Sequence, residues 1–272
     1  SQVKELGIVV RNCACMATDL NKIFNVYYYM GNNLKSSWEE FYGWPQADQT
    51  NINMASPLSV TFNGNDAGSA FISSAPAQIN PPSRTNDIAA LLSLINNSTK
   101  YVYGNVMDFT QLRVYSKPSI YWPELDTAFR NAMLRNVNVR LLISYWNHTD
   151  IAQIITMNSL YTFKDFCKLT STGRRATCNG TLEIKMFKIP DPTEYEPYSF
   201  TRVNHAKYVT SNNGVYISTS NWSWDYFYST GGVSFLGNHP GMIDTATAIF
   251  ERDWNSQYAE DFSVYLKKFH LL

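Results

Sequence analysis

The sequence predicts an α/β sandwich, and three observations carry that prediction. Short apolar runs of strand length alternate with helix-length segments from about residue 58 to residue 254. Polar residues break every apolar run before it is long enough to span a bilayer. At 272 residues, the chain can bury a sizeable core in one large domain or two smaller ones.

Charge narrows the function. The 22 Lys and Arg balance 22 Asp and Glu, which argues against a generally basic nucleic-acid surface, so any anion site must be local. The opening "SQVKELGIVV" lacks Met and already alternates like a strand, so we expect it to belong to the interior of a longer polypeptide. A membrane anchor is expected only in a segment upstream of it.

Taken in order, the elements begin with a strand Glu5–Asn12 and a helix Thr18–Met30. Residues 35–56 are rich in Gly, Asn, Ser and Pro without periodicity, and read as a linker between residues 1–34 and 57–272. Then come strand 58–62, helix 86–95, strand 101–109, and helix 123–135, with Pro123 suited to its first turn. Strand 137–146, helix 150–166 and strand 182–189 follow. After the Pro-rich "PDPTEYEPYSF" come a hairpin, a strand 232–236 and a last helix 242–254.

Neither cysteine pair, Cys13 with Cys15 or Cys167 with Cys178, is joined by the His or Cys needed for zinc, and no metal or cofactor is expected. Asn-x-Ser/Thr triplets occur at Asn96, Asn97, Asn147, Asn179 and Asn221, a number that favours the secretory pathway. In that compartment Cys167 and Cys178, which flank "STGRRAT", form a plausible disulfide; two free thiols are the alternative.

The hairpin "VNHAKYVTSNNGVYISTSNWS", residues 203–223, carries the chemistry. His205 and Lys207 share one strand face, and Thr219 and Asn221 share one on the return. A two-residue turn at Asn213-Gly214 would put Asn221 on the face opposite His205. A three-residue loop over Asn212, Asn213 and a left-handed Gly214 would pair Lys207 with Thr219 and His205 with Asn221. The second register gathers an imidazole, an ammonium, a hydroxyl and a carboxamide, a set suited to a phosphodiester.

"HAKYVTSN" followed by "TSNWS" resembles the second HxKx4D motif of the phospholipase D superfamily, above all its lysosomal animal branch of single-strand 5′ exonucleases with linked phospholipid transfer. "VKELGIVVRNCAC", "RLLISYWNHT", "TSNWSWDYF" and "IFERDW" extend the likeness over nearly the whole chain. The resemblance implies a mixed β-sheet sandwiched by helices, and a lysosomal or endoplasmic-reticulum lumenal enzyme. It makes His205 a catalytic histidine, Lys207 and Asn221 phosphate ligands, and Thr219 a support of the pocket. Glu5 resembles the acid that follows the first motif and bonds a catalytic histidine. Residues 1–34 would then end a first half, and residues 57–272 form the second.

Asn212 stands where the motif has its acid, in the expected turn. The superfamily also needs a second HxK histidine, and His148, His239 and His270 lack that spacing. The expectation is a chain inactive alone. A one-motif homodimer and a nucleic-acid- or lipid-binding pseudoenzyme are the alternatives. His148, just past a strand's C-terminal end, is a candidate substrate ligand or a loop histidine beside Asn147. Tyr208, Trp222 and Trp224 are open to base stacking or to the core. Single-stranded DNA, RNA or phospholipid is the expected substrate.

Overall fold

In the run Asn138–Ser144, Leu141 and Ile143 enter one core, while Leu142 between them enters another. Neighbouring side chains on a strand point to opposite faces, so a sheet apolar on both must be covered on both. The computed structural model, which describes residues 3–32, 48–64, 67–168, 170–171, 174–175, 178–190 and 200–271, is built this way.

Thirteen strands are described: β1 (Val3–Lys4), β2 (Leu58–Thr61), β3 (Ala67–Ala75), β4 (Tyr101–Val106), β5 (Asn138–Ser144), β6 (Thr170–Ser171), β7 (Arg174–Arg175), β8 (Leu182–Phe187), β9 (Val203–Asn204), β10 (Lys207–Ser211), β11 (Gly214–Ser218), β12 (Gly232–Gly237) and β13 (Ala259–Asp261). Nine form one sheet in the order β13-β8-β5-β4-β10-β11-β12-β3-β2, with β4, β5 and β8 parallel and the other pairings antiparallel. The helices are α1 (Ala14–Asn32), α2 (Asp87–Asn97), α3 (Glu124–Leu134), α4 (Ile151–Thr162), α5 (Trp224–Tyr228), α6 (Pro240–Trp254) and α7 (Phe262–Lys268). Side chains of α2, α3, α4 and α7 fill the larger core on one face; α1 and α6 cover the other. The mixed α/β sandwich expected from the sequence is the fold.

Several elements differ from expectation. The strand expected over 5–12 does not form: the pairing residues are the preceding Val3–Lys4, which lie parallel to Val203–Asn204 of β9, and Val9 and Val10 are exposed. Helix α1 begins at Ala14, and its buried residues Met16, Asp19, Ile23 and Val26 recur every three or four positions. Asp19 receives two bonds from the Arg84 guanidinium, both 2.8 Å, and a third from the Thr50 hydroxyl. These fasten α1 to the segment after β3 and, through Thr50, to the one before β2. Strand β3 has no counterpart in the sequence reading, because "AGSAFISSA" lacks the bulky alternation that marks a strand. Of the expected linker, residues 35–47 lie outside the described residues.

Cys167 and Cys178 are disulfide-bonded, with sulfurs 2.08 Å apart, and Cys13 and Cys15 are free thiols. Asn96, Asn97, Asn147 and Asn179 are exposed, whereas Asn221 is buried and closed to a glycan. Among the described residues, no helix is long and apolar enough to cross a membrane.

Candidate active site

The hairpin takes neither register weighed from the sequence. Ser211 pairs with Gly214 and Tyr208 with Ile217, so the turn is Asn212-Asn213 and Gly214 is already in β11. Gly214 does not need a left-handed conformation; it needs the absence of a Cβ, which would come within 3.0 Å of the Gly237 carbonyl on β12. The expected pairings of Lys207 with Thr219 and of His205 with Asn221 are therefore corrected. Asn212 closes the turn: its Oδ1 accepts from the Thr99 and Lys100 amides at 3.0 and 2.9 Å. It sits at the end of β10 away from His205.

A different device brings Asn221 to the site. After β11 the chain crosses to the segment following β4, where Phe109 and Trp222 form a parallel bridge. The Trp222 amide donates to the Asp108 carbonyl at 2.9 Å, and the Thr110 amide to the Trp222 carbonyl at 2.9 Å. Trp222 is fully buried between Phe109 and Phe129, ring centroids 5.6 Å from each. A Cβ on Gly104 would lie 2.4 Å from its ring. The indole is thus the wedge that fixes the residue before it.

His205 lies between β9 and β10, with Nδ1 2.5 Å from Oε1 of Glu5. The β1–β9 pairing makes that contact, and the His205 amide donates to the Lys4 carbonyl at 2.8 Å. A carboxylate on Nδ1 holds a proton there and leaves Nε2 as the nitrogen free to react. Lys207 is buried and donates from Nζ to the His205 carbonyl at 2.6 Å. Desolvation pulls its ammonium down to about 8, against the opposing pull of Glu5 and Asp108.

Asp108, two residues past the end of strand β4, is the member the sequence reading missed. The half-buried carboxyl is pushed up to about 6 by burial, with Lys207 and His205 opposing and Asp150 reinforcing. Its Oδ2 accepts from Asn221 Nδ2 at 3.3 Å. An acid directly after a strand whose C-terminal end faces the site was the available signal. Behind the site, Asn204 donates to Asn105 at 2.7 Å, and Lys4 joins Asn204 to Asp253.

Thr219 turns toward the sheet: its hydroxyl exchanges bonds with the Val233 backbone, accepting at 3.1 Å and donating at 3.4 Å. His148 follows β5 and stacks on Phe200 with centroids 4.5 Å apart, exposed at the same end of the strands as His205, because β5 and β10 run in opposite directions. Tyr208 and Trp222 are fully buried, which corrects base stacking for both. Trp224 is partly buried beneath the Arg113 guanidinium, 4.6 Å from its ring. Among the described residues, no group of three or more His, Cys, Asp or Glu could hold a metal ion.

A mixed sheet with a His-x-Lys pair at the end of a central strand, and an acid from a distant segment behind the histidine, defines a phospholipase D-type protein. Within that superfamily the chain belongs to the family described as "PLD3/4, PLD-like domain", which matches residues 1–191. A probable phospholipase D of Caenorhabditis elegans, F09G2.8, is 40% identical over 262 residues, covering 96% of this chain and 46% of its own. The human 5'-3' exonuclease PLD3 is 35% identical over 268 residues, covering 96% of this chain and 51% of its own. The chain spans about half the length of these curated relatives. Among solved structures, a phospholipase D family member, Nuc from Salmonella typhimurium, aligns over 71% of this chain and 97% of its own, at 16% identity and a TM-score of 0.49.

Proposed function

We propose that the protein is a metal-independent phosphodiesterase that removes nucleotides from the 5′ end of single-stranded nucleic acid through a phosphohistidine. The observation that carries this reading is the Glu5–His205 pair set beside the buried ammonium of Lys207. Nε2 of one histidine attacks phosphorus while the P–O bond to the leaving group breaks; a second histidine protonates the leaving oxygen, and water then cleaves the N–P bond. Lys207 and Asn221 hold the non-bridging oxygens, where a metal would otherwise serve. Thr219 braces the pocket through Val233, and His148 on Phe200 offers a ledge for the adjoining nucleotide.

His205 is the histidine of this chain with HxK spacing, so the second one comes from outside it. In this reading residues 1–34 finish a first phospholipase D-like half, residues 35–56 link, and residues 57–272 form the second half; relatives about twice as long support it. A second copy of the chain is the other possible source. The disulfide and the exposed Asn96, Asn97, Asn147 and Asn179 support glycosylation in the secretory pathway, in the lysosome or endoplasmic-reticulum lumen.

The test is cleavage of a labelled 5′-hydroxyl single strand. A longer polypeptide that includes an upstream HxK is expected to be active with EDTA present, and to lose at least about a hundredfold on His205→Ala or Lys207→Ala. The 272-residue chain alone is expected to be silent. EDTA-sensitive cleavage by that chain would overturn the mechanism.

One observation favours a second substrate class. A cavity of about 540 Å³ beside Glu5, lined by Leu6, Leu20, Ile72, Ile217, Phe235 and Thr219, is mostly apolar and could receive an acyl chain for phospholipid transfer. Leu6→Trp is expected to suppress transfer between phospholipids and spare oligonucleotide cleavage; equal loss of both would remove this second reading.

A further inference from the structure

Lys207, Val106, Ile143 and Met186 stand side by side across β10, β4, β5 and β8. Two positions beyond that row, at the end of the sheet where the site lies, come His205, Asp108, Tyr145 and Lys188. Neighbouring strands are about 4.8 Å apart, so β8, which leads to Lys188, is roughly 14 Å from β10. Between them stands β5, with the His148–Phe200 stack at its end.

A cavity of about 400 Å³ opens at this far end, walled in part by Tyr145, Trp146, Asn147, Lys188, Arg202 and Lys268. Three of its walls are cationic and, among the described residues, none is acidic. In a chain whose formal charges cancel, this is a local excess. Lys268 Nζ donates to the Tyr145 hydroxyl at 2.9 Å and lies 4.9 Å from the centre of that ring, which holds the ammonium against the wall. The Lys188 amide donates to the Tyr258 carbonyl at 2.8 Å, so its backbone is fixed. Among the described residues neither lysine is ion-paired. Arg202 is buried, and its φ of 59° is the left-handed backbone that residues with a side chain seldom adopt.

Two links tie the cavity to His205. Arg202 is three residues before the histidine, a reach of at most about 11 Å. Trp146 lines the cavity and also lies 4.7 Å from the His148 ring, so the aromatic ledge ends at the cavity wall. A strand laid from His205 across the ledge arrives at the cations.

We propose that this cavity is a second phosphate subsite, which holds a phosphate of the single strand further along the chain than the one at His205. The inference rests on the nucleic-acid reading of the site and deepens it. It makes binding depend on strand length: a substrate with one phosphate meets only His205 and Lys207, and a longer one meets Lys188 and Lys268 as well.

The experiment is equilibrium binding of the 272-residue chain to two 5′-hydroxyl thymidine probes, a dinucleotide with one phosphodiester and a pentanucleotide with four. The comparison is the double variant Lys188→Gln, Lys268→Gln, with Arg202 left in place because it is buried. A glycan on exposed Asn147 at the rim would be shared by both proteins. The wild type is expected to bind the pentanucleotide about tenfold more tightly than the variant does, with the dinucleotide bound equally by both, which also shows that the variant folds. Across about 50–200 mM salt, the slope of log affinity against log salt for the pentanucleotide should be shallower in the variant by about 0.7, the share of one phosphate. Equal pentanucleotide affinities and slopes in the two proteins, with the dinucleotide still bound, would overturn the subsite and leave the site at His205 standing. Loss in the variant of binding to phosphatidylserine vesicles, with strand binding unchanged, would assign the cavity to a lipid headgroup and overturn the subsite too. No binding of either probe by the wild type would overturn the phosphodiester reading, and this inference with it.

Discussion

Lys207 is a buried charge that costs stability. Its folded-state value of about 8 lies below the ordinary 10.5, so between these values the unfolded chain keeps a proton that the folded chain has lost. Stability therefore rises with pH from about 8 to 10.5, and the full penalty of the buried ammonium is present below 8. Lys207→Met is expected to stabilise the fold by roughly 2 kcal/mol at pH 7, after the lost bond to the His205 carbonyl, with the gain fading above pH 10. Urea unfolding across that range checks it; a gain independent of pH would exclude the charge as its cause. Asn212 tests the opposite case. It closes a turn remote from His205, and an Asp keeps the acceptor for Thr99 and Lys100. Asn212→Asp is expected to leave turnover within about twofold. His205 and Lys207 stand out in the sequence by residue type and spacing, whereas Asn221 reaches the site by the bridge to the segment after β4 and not by the expected register. Asp108 was harder to find, because its importance comes from Asn221, more than a hundred residues away.

Among the elements, the hairpin shows where sequence reasoning stops. The Asn212-Asn213-Gly214 run marks a turn, but not its register, and on the neighbouring β12 the Gly237 carbonyl would lie 3.0 Å from a Cβ on Gly214. A partner strand cannot be read from the hairpin itself. The same holds for Gly104, which reads as a weak spot in an apolar strand and is in fact the seat of the Trp222 ring. Gly104→Ala is expected to cost about 1–3 kcal/mol by overpacking. Because Trp222 fixes its neighbour, phosphate binding should weaken as well, a coupling measurable by titrating the folded variant. Strong periodic segments such as β5 and α6 were legible at once; β3 was not, since small residues serve a strand packed between two others as well as large ones.

At the scale of the molecule, the sandwich followed from alternation and length, but the way the first 32 residues join it did not. They are held by β1 against β9 and by the buried Asp19–Arg84 pair, whose side chains are both 1% exposed. Removing one partner strands the other charge in a dry site. Asp19→Ala is expected to cost about 3–5 kcal/mol and to expose α1 first in hydrogen exchange. A loss below 1 kcal/mol would show that α1 is held by its apolar face alone.

The contact between Glu5 and His205 spans 200 positions of sequence. During synthesis at about 5–20 residues per second, the glutamate would wait roughly 10–40 s for its histidine to be made. Ordering so long an intervening chain is entropically costly until the sheet between them exists, so this pairing belongs late in folding. Substitution of Glu5 should accordingly leave the folding rate alone and appear only in unfolding. The nascent chain would then acquire its architecture well before the His205 imidazole meets its carboxylate.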